Sequence, residues 1–145
     1  MEKKFRQGLF TPKNPDKYVG NVNNIRYMSS WELEFHSFLD NNPNVLRWSS
    51  EEIAIPYVKP TDKKVHRYYP DYWVEYKNKD GNIVKEIIEV KPHKETRKTR
   101  ARNPKTRLYE DITYAINIAK WKAATNFCDK YGMKFRIVTE RKIFK

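Results

Sequence analysis

Residues 66–91, HRYYPDYWVEYKNKDGNIVKEIIEVK, hold the pattern from which the rest of the chain can be placed. Asn78-Lys79-Asp80-Gly81-Asn82 is rich in turn formers and lies between two stretches of β-branched and aromatic residues, the pattern of a β-hairpin. His66–Tyr76 reads as one strand and Ile83–Lys91 as the returning strand, ended by Pro92. Side chains alternate across a strand, so Glu89 and Lys91 share one face while Ile88 and Val90 share the other. The hairpin brings Asp71, near the start of its strand, beside the end of the next. Two carboxylates and an ammonium are thereby gathered into one small patch.

Working outward, Glu51–Val58 alternates around Ile53, Ile55 and Tyr57 and is predicted as the strand before the hairpin. Short connections make these three strands an antiparallel meander. Upstream, Ser29-x-x-Glu32 is a capping-box pattern opening a helix from about Ser29 to Leu39. Its apolar face is Trp31, Phe35, Phe38 and Leu39, and Asp40-Asn41-Asn42-Pro43 stops it. Downstream, helical periodicity runs from about Thr106 to Tyr131, with Leu108, Ile112, Ala115, Ile116, Ala119, Ala123 and Phe127 on one stripe. Gly132 is a natural terminator, and Met133–Thr139 reads as a final strand that the long helix can cross over to place parallel to a neighbour. The order helix, three strands, helix, strand gives an α/β fold with a mixed sheet flanked by helices. Residues 1–28, with Pro12, Pro15, Gly20 and four asparagines, read as an extended arm, of which Tyr18, Val19, Ile25 and Tyr27 dock on a single domain at 29–145.

A chain of 145 residues with 39% hydrophobic and 14% aromatic residues can bury a core without staples. The lone cysteine, Cys128, excludes an internal disulfide and a cysteine-based zinc site. No apolar run is long enough for a bilayer, and MEKKFRQ has no signal-peptide core, so a soluble intracellular protein is expected. Thirty Lys/Arg against eighteen Asp/Glu leave a net charge of +12. That favours a polyanionic partner, DNA, RNA or an anionic membrane surface, although a merely solvated basic surface has the same composition.

Adjacent carboxylates repel, and one pKa rises unless a cation neutralises them. Mg²⁺, with Mn²⁺ as substitute, gives Asp71 and Glu89 a reason to be neighbours and supplies what phosphodiester hydrolysis needs. Lys91 would orient or deprotonate the attacking water. The structural alternative makes Glu89 and Lys91 an exposed i,i+2 pair and leaves Asp71 closing a turn. Residues 91–107 (KPHKETRKTRARNPKTR) hold eight Lys/Arg and one Glu. They read as a phosphate-binding loop, with Arg97, Lys98, Arg100, Arg102 and Arg107 as its DNA contacts. Glu32 has two possible jobs, helix cap or metal-site acid. Glu51 and Glu52 open a strand within reach of the same site. Asn117 and Lys120 read as a solvent-facing pair, the aromatics Tyr68, Tyr69, Tyr72 and Trp73 as core and sheet surface, and His36, His66 and His93 lack metal-ligand spacing.

At Pro70-Asp71 and Glu89-Val90-Lys91 the chain resembles the PD-(D/E)xK nuclease superfamily, whose restriction-endonuclease-like core has the order α-β-β-β-α-β. The resemblance implies a metal set of Asp71, Glu89 and Val90, a catalytic Lys91, and Glu32 as the acid from the first helix. Ser-Ser-Trp-Glu, Asp-Asn-Asn-Pro-Asn-Val-Leu-Arg-Trp, Ile-Pro-Tyr and Tyr-Pro-Asp look like the branch of TnsA-type transposon endonucleases, and more closely like the head-completion nucleases of T-even-type tailed phages. The implied function is a Mg²⁺-dependent DNA endonuclease of low sequence specificity, which trims DNA before heads and tails join. The implied setting is the host cytoplasm during assembly or the virion, with portal or neck proteins as partners. No membrane and no organic cofactor are expected, and symmetric cutting of both strands implies a homodimer. The rivals are a structural DNA-binding head-joining protein with a vestigial nuclease fold, a transposase subunit and an RNA nuclease.

Overall fold

The computed structural model describes residues 7–139, apart from the side chains of His93 and Lys94. Expectations placed on the remaining residues, including the MEKKFRQ start and the outer domain limits, lie outside the described residues. The elements are β1 (Gly8–Leu9), β2 (Arg26–Tyr27), α1 (Ser30–Asn41), β3 (Val45–Ser50), β4 (Ile55–Val58), β5 (Val65–Tyr68), β6 (Tyr72–Lys77), β7 (Ile83–Val90), α2 (Pro104–Tyr131) and β8 (Lys134–Val138). The central sheet has the order β3-β6-β7-β8, with antiparallel pairing except between β7 and β8, which run parallel. Setting aside the short β1–β2 and β4–β5 pairs, the core is α-β-β-β-α-β with a mixed sheet between helices.

The first core strand is β3, not the predicted Glu51–Val58. Its phase is broken by a register shift between Val45 and Arg47, so Val45 and Trp48 are buried without the strict alternation that marks a strand in sequence. The predicted strand His66–Tyr76 is also split. Pro70 has no N–H to donate and restricts Tyr69 before it, so the ladder stops there. β5 leaves to pair with β4 in a separate ribbon, with Ile55 opposite Tyr68, and β6 begins afresh at Tyr72.

Alternation along β6 and β7 sorts two cores onto the two faces of the sheet. Tyr72, Val74, Ile88 and Val90 pack with Trp48, Leu39, Trp31 and Phe35 beneath α1. The arm joins this core through Tyr18 and Ile25, while Val19 stays exposed. The Asp40 carboxylate accepts the Lys13 and Asn14 N–H groups at 2.7 and 3.1 Å, tying the arm to α1. Phe38 faces outward at 54% exposure, and the buried side of α1 instead carries His36, Leu39 and Asp40. On the opposite face Ile87 and Trp73 pack with Ile55, Tyr57 and Tyr68 of the β4–β5 ribbon and with Trp121, Ala124 and Cys128 of α2.

Helix α2 starts at Pro104, two residues before the expected Thr106, and stops at Gly132 as expected. The Asn103 side chain accepts the N–H groups of Lys105 and Thr106, Pro104 opens the first turn, and Gly132 takes the left-handed conformation (φ 70°) that stops it. Its buried residues are Asn117, Trp121, Ala124 and Cys128, a stripe one residue round the helix from the predicted one. Ile116, Ala119, Ala123 and Phe127 flank the core, whereas Leu108 and Ile112 are exposed. Among the described residues no helix is long and apolar enough to cross a membrane.

Candidate active site

Pairing of Tyr72 with Ile88 puts Asp71, one residue earlier, opposite Glu89, one residue later. Asp71 Oδ2 accepts the Val90 N–H at 2.7 Å, and the Asp71 carbonyl accepts the Glu51 N–H at 3.1 Å. Asp71 Oδ1 hydrogen-bonds no other described residue. Glu89 is buried: its Oε1 accepts the Tyr68 hydroxyl at 2.7 Å, and its Oε2 lies 3.3 Å from Lys91 Nζ. Odd-numbered residues put Asp71, Glu89 and Lys91 on the α2 side of the sheet, at its β6–β7 end.

Burial pushes the Asp71 carboxyl up to about 8, and the neighbouring Glu89 charge adds to the rise. The Val90 N–H and Lys91 pull it down, and Glu32 pushes it up slightly. Asp71 therefore favours its protonated form beside Glu89, a cost that a cation between them would remove. Among the described residues no three His, Cys, Asp or Glu side chains form a metal cage. Two carboxylates, one with an oxygen that meets no other described residue, are a donor set that suits a hard divalent cation such as Mg²⁺, which usually keeps several waters. Val90 contributes its N–H to Asp71; its only oxygen for a metal is the backbone carbonyl.

Glu32 stands in the first turn of α1. The Ser29 hydroxyl accepts the Glu32 N–H at 3.2 Å, and Glu32 Oε1 accepts the Met28 N–H at 3.0 Å rather than that of Ser29. Burial raises its pKa, the Met28 N–H opposes the rise, and the Glu51 charge adds to it. Cap geometry and an electrostatic link to Asp71 coexist. Glu51 has φ 55°, an uncommon conformation for a residue with a side chain, and its charge acts on Glu32. Glu52 turns away: its Oε2 accepts the Tyr18 hydroxyl at 2.8 Å and the Asn21 N–H at 3.2 Å.

Three supporting residues escaped sequence reasoning. Tyr68 orients Glu89 across the ribbon. Lys120, read as solvent-facing, has its ammonium 5.6 Å from the Tyr68 ring centre and 5.9 Å from that of Tyr57. Burial lowers its pKa, Lys91 lowers it further, and Glu89 opposes the shift. A second cation thus stands behind the carboxylates. His36 is the third: it accepts the Tyr72 hydroxyl on Nδ1 at 2.8 Å, which leaves Nε2–H to donate to the Arg26 carbonyl at 2.8 Å. Burial depresses its pKa, so it is neutral and fixes the residue next to Asp71. In the sequence a lysine beside Ala119 of the apolar stripe and a histidine on a helix look like any others.

In the basic segment, Arg97, Lys98 and Arg100 line a cavity of about 430 Å³ against the N-terminal half of α2. Arg102 and Arg107 are exposed outside it. None of the five forms an ion pair with another described residue.

A family model for the TnsA-like endonuclease N-terminal domain matches residues 42–140, a span that contains Asp71, Glu89 and Lys91 and begins after Glu32. The chain is also 40% identical over 141 residues to a protein of enterobacteria phage T4 named head completion nuclease, covering 92% of this chain and 90% of the other. By both measures this chain belongs to the TnsA-like family of endonucleases, with a restriction-endonuclease-like fold.

Proposed function

We propose that the chain is the DNA nuclease of phage head completion, hydrolysing phosphodiester bonds at Asp71, Glu89 and Lys91 with Mg²⁺ as cofactor. The observation that carries this is the opposed pair of half-buried Asp71 and buried Glu89, with Asp71 raised to about 8 and a lysine 3.3 Å from Glu89. The relative whose name states the role covers nearly all of the chain, which favours head completion over a transposase subunit.

Asp71 and Glu89, with the Val90 carbonyl, would hold the ion, and Mn²⁺ can replace it because the donors are hard oxygens. When bound, Mg²⁺ neutralises phosphate oxygens and lowers the pKa of water. The Asp71 proton must leave for the carboxylate to serve. Lys91, released from Glu89, holds the attacking water and balances the charge that develops on the phosphate. Tyr68 keeps Glu89 in register, Lys120 adds positive potential, and Glu32 contributes its charge from α1. Arg97, Lys98, Arg100, Arg102 and Arg107 hold the backbone of the substrate without reading its sequence. The setting is the host cell during assembly, where the chain meets the neck or portal region of a filled head; two copies paired as a homodimer would cut both strands symmetrically.

The test is supercoiled plasmid incubated with wild type, Asp71→Asn, Glu89→Gln and Lys91→Ala in Mg²⁺, Mn²⁺ or EDTA. Nicked and linear products are expected from wild type with either metal only. Undiminished cutting in EDTA, or by all three variants, would overturn the assignment. A structural head-joining protein gives no cutting under any condition.

A further inference from the structure

The cavity beside the basic segment has a composition that phosphate binding alone does not require. Its walls include Arg97 and Arg100 on one side and Tyr109, Glu110, Tyr114 and Asn117 of α2 on the other. Asn117 is 4% exposed, yet its side-chain amide hydrogen-bonds no other described residue. It is not among the sealed unpaired polar atoms, so the amide opens into the cavity it lines. A buried amide without a partner is costly unless something else meets it, and a carbonyl and an NH₂ together match the edge of a nucleobase. The two tyrosines sit at i and i+5 on α2 and offer aromatic faces, with Tyr109 71% exposed. Glu110 accepts the Thr99 hydroxyl, which pins the basic segment against the helix.

The cavity also has a defined position relative to the chemistry. Asn117 is one helical turn before Lys120, whose ammonium lies over the Tyr68 ring that serves Glu89. The other wall continues from Lys91 through Pro92 into residues 95–101. Its volume of about 430 Å³ falls within the range of small-ligand pockets, far too small for a duplex.

We propose that this cavity binds a single unpaired nucleotide of the DNA strand being cut: the base lies against Tyr109 and Tyr114, its edge meets Asn117, and its phosphate meets Arg97 and Arg100. This rests on the nuclease assignment above and gives it a substrate class, DNA with an unpaired segment next to the scissile phosphate. Base–aromatic stacking tolerates any base, which agrees with low sequence specificity. Glu95 and Glu110 also line the cavity; they can accept from amino groups of bases but repel phosphate, so the phosphate belongs at the arginine side.

The experiment measures binding in EDTA, where no metal-dependent cutting occurs, using blunt duplexes and duplexes with a three-nucleotide extension carrying 2-aminopurine. Wild type is expected to bind the extended duplex more tightly and to quench 2-aminopurine by stacking. Tyr109→Ala, Tyr114→Ala and Asn117→Ala should each reduce the preference for the extended duplex, by roughly 5- to 150-fold for the tyrosines. Tyr109 is so exposed that its variant remains folded, checked by circular dichroism, which keeps the test decisive should the buried Asn117 position not tolerate change. Equal affinity for the two duplexes, an absent quench, or unaltered preference in Tyr109→Ala and Tyr114→Ala would overturn the pocket. Failure of the catalytic assignment looks different: Asp71→Asn and Glu89→Gln would still cut plasmid in Mg²⁺, whatever the 2-aminopurine signal.

Discussion

Asp71→Asn should stabilise the metal-free protein, by an amount that grows with pH. Folding moves this carboxyl from an ordinary 3.8 to about 8. Between those values the folded state retains a proton that the unfolded chain has lost. Stability contributed by this group is fully present below pH 4 and is lost as pH rises, with a slope of about 1.4 kcal/mol per pH unit, levelling off above pH 8. For a rigid site the loss is roughly 4 kcal/mol at pH 7; relaxation and water entry reduce it to about 2 kcal/mol. Asparagine keeps an oxygen for the Val90 N–H but carries no charge. Urea denaturation of wild type and variant in EDTA at pH 5, 7 and 9 measures the difference. The variant should be more stable than wild type by roughly 1 kcal/mol or less at pH 5, by about 2 kcal/mol at pH 7, and by somewhat more at pH 9. Mg²⁺ should close the gap, because it stabilises only the wild-type site. A variant less stable than wild type by the same margin at every pH would refute the electrostatic account and make Asp71 a plain turn residue.

Glu32→Gln retains an oxygen for the Met28 N–H, so the helix start should survive and thermal stability should stay within about 1 kcal/mol of wild type; plasmid cleavage lost from this folded variant assigns the charge to the site, and normal cleavage confines Glu32 to the cap. Converting Arg97, Lys98, Arg100 and Arg102 together to alanine should flatten the plot of log K against log salt by about 0.9 for each phosphate contact removed, read by fluorescence anisotropy on duplex DNA; an unchanged slope would leave the basic segment without a ligand. Lys120→Gln should lower kcat/KM about tenfold, the equivalent of one charge-assisted contact, with far-UV circular dichroism unchanged; a wild-type kcat/KM would make the lysine a packing residue on Tyr57 and Tyr68.

Local pattern was enough to determine the elements that are regular along the chain. The Asn78–Asn82 turn, the Glu89-Val90-Lys91 alternation, the existence of α2 with its stop at Gly132 and the parallel final strand all follow from turn chemistry and a period of two or 3.6 residues. The pairing of Asp71 with Glu89 was legible for the same reason: a hairpin with a defined turn has a defined register. What only the tertiary structure decided are features with no local period. The shift inside β3 hid a core strand, and Pro70 split the predicted Tyr-rich strand so that Tyr68 could reach Glu89 from a separate ribbon. Which face of α2 is buried was likewise set by the ribbon and sheet it meets. Those neighbours select the stripe through Asn117, Trp121, Ala124 and Cys128, leave Leu108 in solvent, and bring Lys120 to the carboxylates. Helical spacing defines stripes, but only a packing partner chooses between two that lie one residue apart.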